Sequence, residues 1–137
     1  MTGVFSVIIA GSRTVSPEIE EIDEAIGKLR DERFRDLAVW SEVVCGCAPG
    51  ADRAGERWAE ARKINLHHEP ITRQLIERHG KYLAPKMRNR AMAERGDYAI
   101  VFWYGTSGGS ADMVCRMVAR GKPVEVVPWK KAPGVRR

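Results

Sequence analysis

Five short apolar runs, rich in β-branched residues, divide the chain: Val4–Ala10, Val43–Gly46 with a start as early as Leu37, a weaker run at Asn65–Glu69, Tyr98–Trp103 and Pro123–Val127. The runs VFSVIIA and YAIVFW are nearly continuous in hydrophobicity, as expected of strands covered on both faces in a parallel sheet. Helical signals fill the intervals. Ser16-Pro17-Glu18 supplies an N-cap, a first-turn proline and an early acid, and predicts a helix running to about Arg33. Along it Ile19, Ile22, Ile26 and Leu29 fall on one face. Further helices are expected from Gly50-Ala51-Asp52 to about Lys63, from Pro85 to Arg95 before Gly96, and from Ser110 to Arg120 before Gly121 and Pro123. The amphipathic stretch 70–84, with Ile71, Leu75 and Ile76, predicts an extra helical turn or a lid.

Strand alternating with helix implies right-handed crossovers and an α/β fold: a three-layer α/β/α sandwich around a five-stranded parallel sheet. The expected strand order is 3-2-1-4-5, with the topological switch between the first and fourth strands. Ligands of such sheets sit beyond the carboxyl ends of the strands at that switch.

Four elements satisfy that positional test or overhang the same cleft. Gly11-Ser12-Arg13 follows the first strand and offers a sharp exit, a hydroxyl and a guanidinium fork, although an ordinary turn with a solvated arginine has the same letters. Cys45-Gly46-Cys47-Ala48-Pro49-Gly50-Ala51-Asp52 crosses from the second strand into a helix whose first N–H groups suit an anion. Asp52 reads first as a helix-start acid, and otherwise as a ribose acceptor or an orienter of Arg13. Trp103-Tyr104-Gly105-Thr106-Ser107-Gly108-Gly109-Ser110 opens the last helix with glycines and hydroxyls, which is phosphate-cradle chemistry without the P-loop lysine. Pro85-Lys86-Met87-Arg88-Asn89-Arg90 starts a helix whose first turn would aim Arg88 or Asn89 at a ligand, with Lys86 and Arg90 on a solvated face.

Composition narrows the function classes. The 137 residues are 44% hydrophobic and 30% charged, ordinary values for one folded domain, expected over residues 1–129 with a basic tail at 130–137. No run approaches the roughly 20 apolar residues of a membrane span, so a cytoplasmic protein without membrane contact is expected. The net charge of +5 lies partly in the tail and forms no stripe interleaved with aromatics. Nucleic-acid binding is therefore the least favoured reading. Three cysteines, two of them in Cys45-Gly46-Cys47, lack the spacing of a zinc motif. They read as reduced structural thiols, and no metal or organic cofactor is expected. His67, His68 and His79 are assigned no role. Flat helical faces would permit a homodimer or a higher homo-oligomer.

Taken together, the segments AGSRTV, VVCGCAPGADRAGERWAE, RHGKYLAPKMRNRAMAE, DYAIVFWYGTSGGSADMV and GKPVEVV resemble, in order and interval, the YspA-like branch of the SLOG superfamily, named for its SMF/DprA and LOG members. The resemblance spans Ser6 to Val127. It implies a Rossmann-like fold that binds or processes nucleotide-derived ligands, including ADP-ribose-type ligands, as a sensor domain or in phage–host conflict. By position it places ligand-facing residues at Gly11, Ser12, Arg13, Gly46, Gly50, Ala51, Asp52, Arg88, Asn89, Gly105, Ser107, Gly109 and Ser110, beside a base-stacking role read for Trp103 or Tyr104. LOG-type relatives cleave the N-glycosidic bond of nucleoside 5′-monophosphates with a glutamate after the last glycine loop, paired with an arginine. Here Arg88 supplies the arginine, but no glutamate follows Gly105-Thr106. Asp52 and Asp112 are the carboxylates left for a hydrolase. Cys47 also departs from the family's small-residue run, at a position where φ > 0 would cost it sterically. Binding of a phosphate-bearing nucleotide is accordingly expected ahead of its hydrolysis.

Overall fold

The computed structural model describes residues 5–105 and 108–129. Five strands, β1 (Phe5–Gly11), β2 (Trp40–Cys45), β3 (Asn65–His68), β4 (Tyr98–Trp103) and β5 (Val124–Pro128), form one parallel sheet in the order β3-β2-β1-β4-β5. The helices are α1 (Ile19–Gly27), α2 (Ala51–Arg62), α3 (Arg73–Arg95) and α4 (Gly108–Ala119). The architecture is the α/β sandwich that the alternation of elements predicts, and it is consistent with a Rossmann-like fold.

Side chains of the central strands alternate between two cores, and every position is buried from Val7 to Ala10 and from Tyr98 to Phe102. Val7, Ile9, Val43, Ile100 and Phe102 face α1 and α2, joining Ile22, Ile26 and the fully buried Trp58. Ile8, Ala10, Val44, Ala99 and Val101 face the other layer, where Met92 of α3 and Met113 and Met117 of α4 cover them. Close packing shows at Gly55 in mid-α2, where a Cβ would stand 2.9 Å from the Ile9 Cβ. A longer side chain would push the helix off the sheet.

Two local outcomes differ from the sequence expectation, the bounds of α1 and the start of the helix expected at Pro85, while the helical turn expected within 70–84 is present. Helix α1 begins at Ile19 and ends at Gly27, not at Ser16-Pro17 and Arg33. Its entry is set by Glu21, whose Oε1 accepts from the Glu18 N–H at 3.0 Å. Its exit is set by Phe34, which packs against Phe5, Trp40 and Tyr98 with ring centroids 4.9, 5.3 and 5.0 Å away. Continuing the helix would carry that ring away from the cluster, so two 3-10 turns, Glu32–Arg35 and Leu37–Val39, replace it. The stretch 70–84 supplies the first part of α3, capped by Thr72 Oγ1 accepting from the Leu75 N–H at 3.1 Å. Gly80, at φ 83, breaks α3 in two, and Pro85 lies within the first turns of the second part.

Among the described residues no helix is long and apolar enough to cross a membrane. The basic tail expected at 130–137 lies outside the described residues.

Candidate functional site

β1 and β4 are hydrogen-bonded neighbours from Val7↔Tyr98 to Gly11↔Phe102, and their chains leave the sheet toward opposite sides. A cavity of about 270 Å³ opens at their carboxyl ends, lined among others by Gly11, Arg13, Asp52, Arg88, Asn89, Gly109 and Ser110. All four sequence elements therefore meet at the switch point, where such a sheet accommodates a ligand.

The loops approach closely because their glycines lack a Cβ. A Cβ on Gly11 would stand 2.1 Å from the Phe102 carbonyl oxygen, so β1 can leave the sheet there only as glycine. Gly50 has φ 83 and lies on the Ser12–Arg13 backbone, with an added Cβ 2.3 Å from the Arg13 carbonyl oxygen. This contact seats the N-terminus of α2 beside the end of β1.

Gly46 organises the charged centre. A Cβ there would stand 2.5 Å from Arg88 Nη1 and 2.7 Å from Asp52 Oδ2, so the position makes room for a guanidinium and a carboxylate side by side. Arg88 Nη1 donates to the Gly46 carbonyl, and Arg88 Nε donates to Asn89 Oδ1 at 3.3 Å. Arg88 and Asp52 are 8% and 6% exposed. Burial pushes the Asp52 carboxyl up to about 6, against the opposing pull of Arg88 and of a hydrogen bond from the Ala48 backbone. Asp52 is thus a buried acid with a raised carboxyl, lining the cavity together with Arg13 and Arg88. Arg13 is exposed, lines the cavity and, among the described residues, forms no ion pair.

The remaining predicted residues divide by what already occupies their polar atoms. Ser12 Oγ accepts from the Tyr104 N–H at 3.0 Å, so the hydroxyl stitches the β1 and β4 exits together. Asn89 Nδ2 donates to the Gly109 carbonyl at 3.3 Å and to Asp112 Oδ2 at 3.1 Å, tying α3 to the start of α4. Asp112 also accepts from Arg116 Nε at 2.9 Å and does not line the cavity. Trp103 packs with the α3/α4 core, away from the cavity lining. Ala51 is the fully buried first residue of α2, and Gly105 takes φ 67 in an exposed turn after β4. Ser107 lies outside the described residues.

Met92 and Met113 also line the cavity, and nothing in the chain singled them out, because both fit the buried face of their helices equally well. Cys47 does take a positive φ, 61°. The left-handed region costs a non-glycine residue roughly 1–2 kcal/mol. With Cys45, Glu56 and His68 it belongs to a separate cluster of metal-ligating side chains behind Gly46. A larger hollow of about 470 Å³ between α1 and β5 is lined by Glu21, Glu24 and Glu125 with Lys28 as its one cation, a net negative lining that disfavours an anion.

Fold and site define a parallel α/β domain with a basic, partly buried cavity at its topological switch. No protein-family model matches the chain, and no curated protein matches it. Among solved structures it is similar to the C-terminal domain (residues 83-215) of PF1911 hydrogenase from Pyrococcus furiosus. That similarity is 13% identity over 93% of this chain and 94% of that one, with a TM-score of 0.43, too distant to bear on function.

Proposed function

We propose that the cavity at the β1/β4 switch holds a phosphate-bearing nucleotide or nucleotide derivative, of the ADP-ribose type or simpler, for sensing or sequestration. The observation that carries this reading is the convergence of Arg13, Arg88 and Asn89 with the small-residue starts of α2 and α4 in one cavity. Helix N-termini and arginine forks are the two general means of holding phosphate. A volume of about 270 Å³ suits a phosphate with its sugar, leaving a base at the open mouth. The ordered sequence motifs support the same reading and a place for the chain in the YspA-like branch of the SLOG superfamily.

Titration calorimetry with ADP-ribose, AMP, ADP and cyclic nucleotides tests it. At least one should bind, and Arg13→Ala or Arg88→Lys should weaken it. A charge-assisted hydrogen bond contributes about 1.5–3 kcal/mol, roughly a ten- to hundredfold change in Kd. Absence of binding across the set, or binding indifferent to both substitutions, refutes the proposal.

One observation favours a second reading, N-glycosidase action on a nucleoside 5′-monophosphate. Asp52 faces the cavity with a carboxyl raised to about 6, suited to stabilise positive charge on a ribose or to move a proton. The burden of catalysis falls on Asp52 and not on Asp112, which Arg116 and Asn89 engage. Release of free base, abolished by Asp52→Asn and retained by Asp112→Asn, is the outcome this reading requires.

A further inference from the structure

Four side chains from three elements meet on the far side of Gly46. Cys45 ends β2, Cys47 follows in the loop, Glu56 lies on α2 and His68 ends β3. Their ligand atoms all lie within 4.8 Å of one another. His68 Nδ1 is 3.7 Å from Cys45 Sγ, 3.2 Å from Cys47 Sγ and 3.5 Å from Glu56 Oε1, and Cys45 Sγ is 3.8 Å from Glu56 Oε1. A tetrahedron with Zn–S about 2.3 Å and Zn–N or Zn–O about 2.0–2.2 Å has edges of about 3.3–3.8 Å.

Hydrogen bonds satisfy these groups in pairs, with Cys45 Sγ also 3.8 Å from the His67 carbonyl oxygen, but they do not require all four to converge on one centre. One imidazole nitrogen has two thiols and a carboxylate around it and can share a proton with only one of them. A cation at the centre satisfies all four groups at once. Two further features agree. Cys47 occupies left-handed backbone at φ 61, where a glycine would be unstrained, so a thiol is present against the local preference. Arg53 Nε holds the other oxygen of Glu56 at 3.3 Å, leaving Oε1 turned to the cluster, as outer partners orient the ligands of metal sites. Cys45 is buried and His68 exposed, so the site has a closed floor and an entrance from solvent.

We propose that Cys45, Cys47, Glu56 and His68 form a tetrahedral structural zinc site that staples the loop after β2 to α2 and to the end of β3. With four protein ligands and no open position, the ion is structural and not catalytic. On binding, both thiols become thiolates and their protons pass to solvent, while the imidazole binds neutral through Nδ1. The sequence conceals the site because Cys45-Gly46-Cys47 gives only half of it. The other half comes from a helix and a strand end that only folding brings near.

The full chain, purified from zinc-supplemented medium and gel-filtered, should carry one zinc per chain by elemental analysis. Its cobalt(II) form should show sulfur-to-cobalt charge transfer and intense tetrahedral d–d bands. Cys115→Ser, at an exposed cysteine outside the cluster, should keep both signals. His68→Ala and Cys47→Gly should lose zinc stoichiometry. Cys47→Gly suits the backbone at that position, so its loss of metal cannot be attributed to misfolding. Full zinc occupancy in Cys47→Gly overturns the proposal. So does a wild-type chain that takes up no zinc and leaves cobalt with the spectrum of the aqueous ion.

Discussion

Replacing Asp52 by Asn removes one buried charge while nearly preserving shape, and the structure sets the size of the effect. Asp52 is 6% exposed and its carboxyl is raised from 3.8 to about 6. A proton is therefore held more tightly in the folded chain than in the unfolded one. Stability from this group is greatest below pH 4, falls as pH rises from about 4 to about 6, and is level above. About two units at 1.36 kcal/mol each make the loss about 3 kcal/mol. The asparagine variant lacks this titration and carries instead a nearly constant offset from altered bonding to Ala48 and Arg88. The stability difference between the variant and wild type should thus shift by about 2–3 kcal/mol in favour of the variant between pH 4 and pH 8. Urea unfolding of both chains across that range measures it, since carboxylates shared by the two proteins cancel in the difference. Parallel pH profiles would refute the argument, by showing that Asp52 ionises as it would in water.

The same acid links proton and ligand. A phosphate bound beside Asp52 raises its carboxyl further, so binding near pH 7 should take up a fraction of a proton, read from calorimetry in buffers of different ionisation enthalpy. Gly55→Ala should destabilise by about 1–3 kcal/mol despite the better helix propensity of alanine, because its Cβ would meet Ile9; thermal unfolding decides between overpacking and propensity. Asp23 accepts from Trp58 Nε1 at 2.8 Å and from Arg62 Nε at 3.0 Å, joining α1 to α2. Asp23→Ala leaves the indole donor of a fully buried Trp58 without its carboxylate and should cost about 1–3 kcal/mol in urea unfolding.

Part of the site was legible because its signals are local. Gly11, Gly50 and Asp52 stand just past strands or at a helix start, and strand-end position alone placed them at the switch. The fate of individual polar atoms was not legible. Ser12 and Asp112 have the right chemistry at the right place along the chain, yet Tyr104 and Arg116 already occupy them. Nothing in a strand–loop–helix pattern records what a neighbouring loop will offer.

Apolar runs and turn residues by themselves determined five strands, the α/β class and the strand order, because hydrophobic periodicity and crossover handedness act over short stretches. Tertiary structure decided the rest. Phe34 ended α1 early, since joining a cluster of rings from three strands outweighs further helical hydrogen bonds. Gly46 brought Arg88 and Asp52 together across 42 and six positions of chain. The cluster of Cys45, Cys47, Glu56 and His68 arose in the same way. Such contacts depend on strand register and helix docking, which are settled by the packing of the whole core.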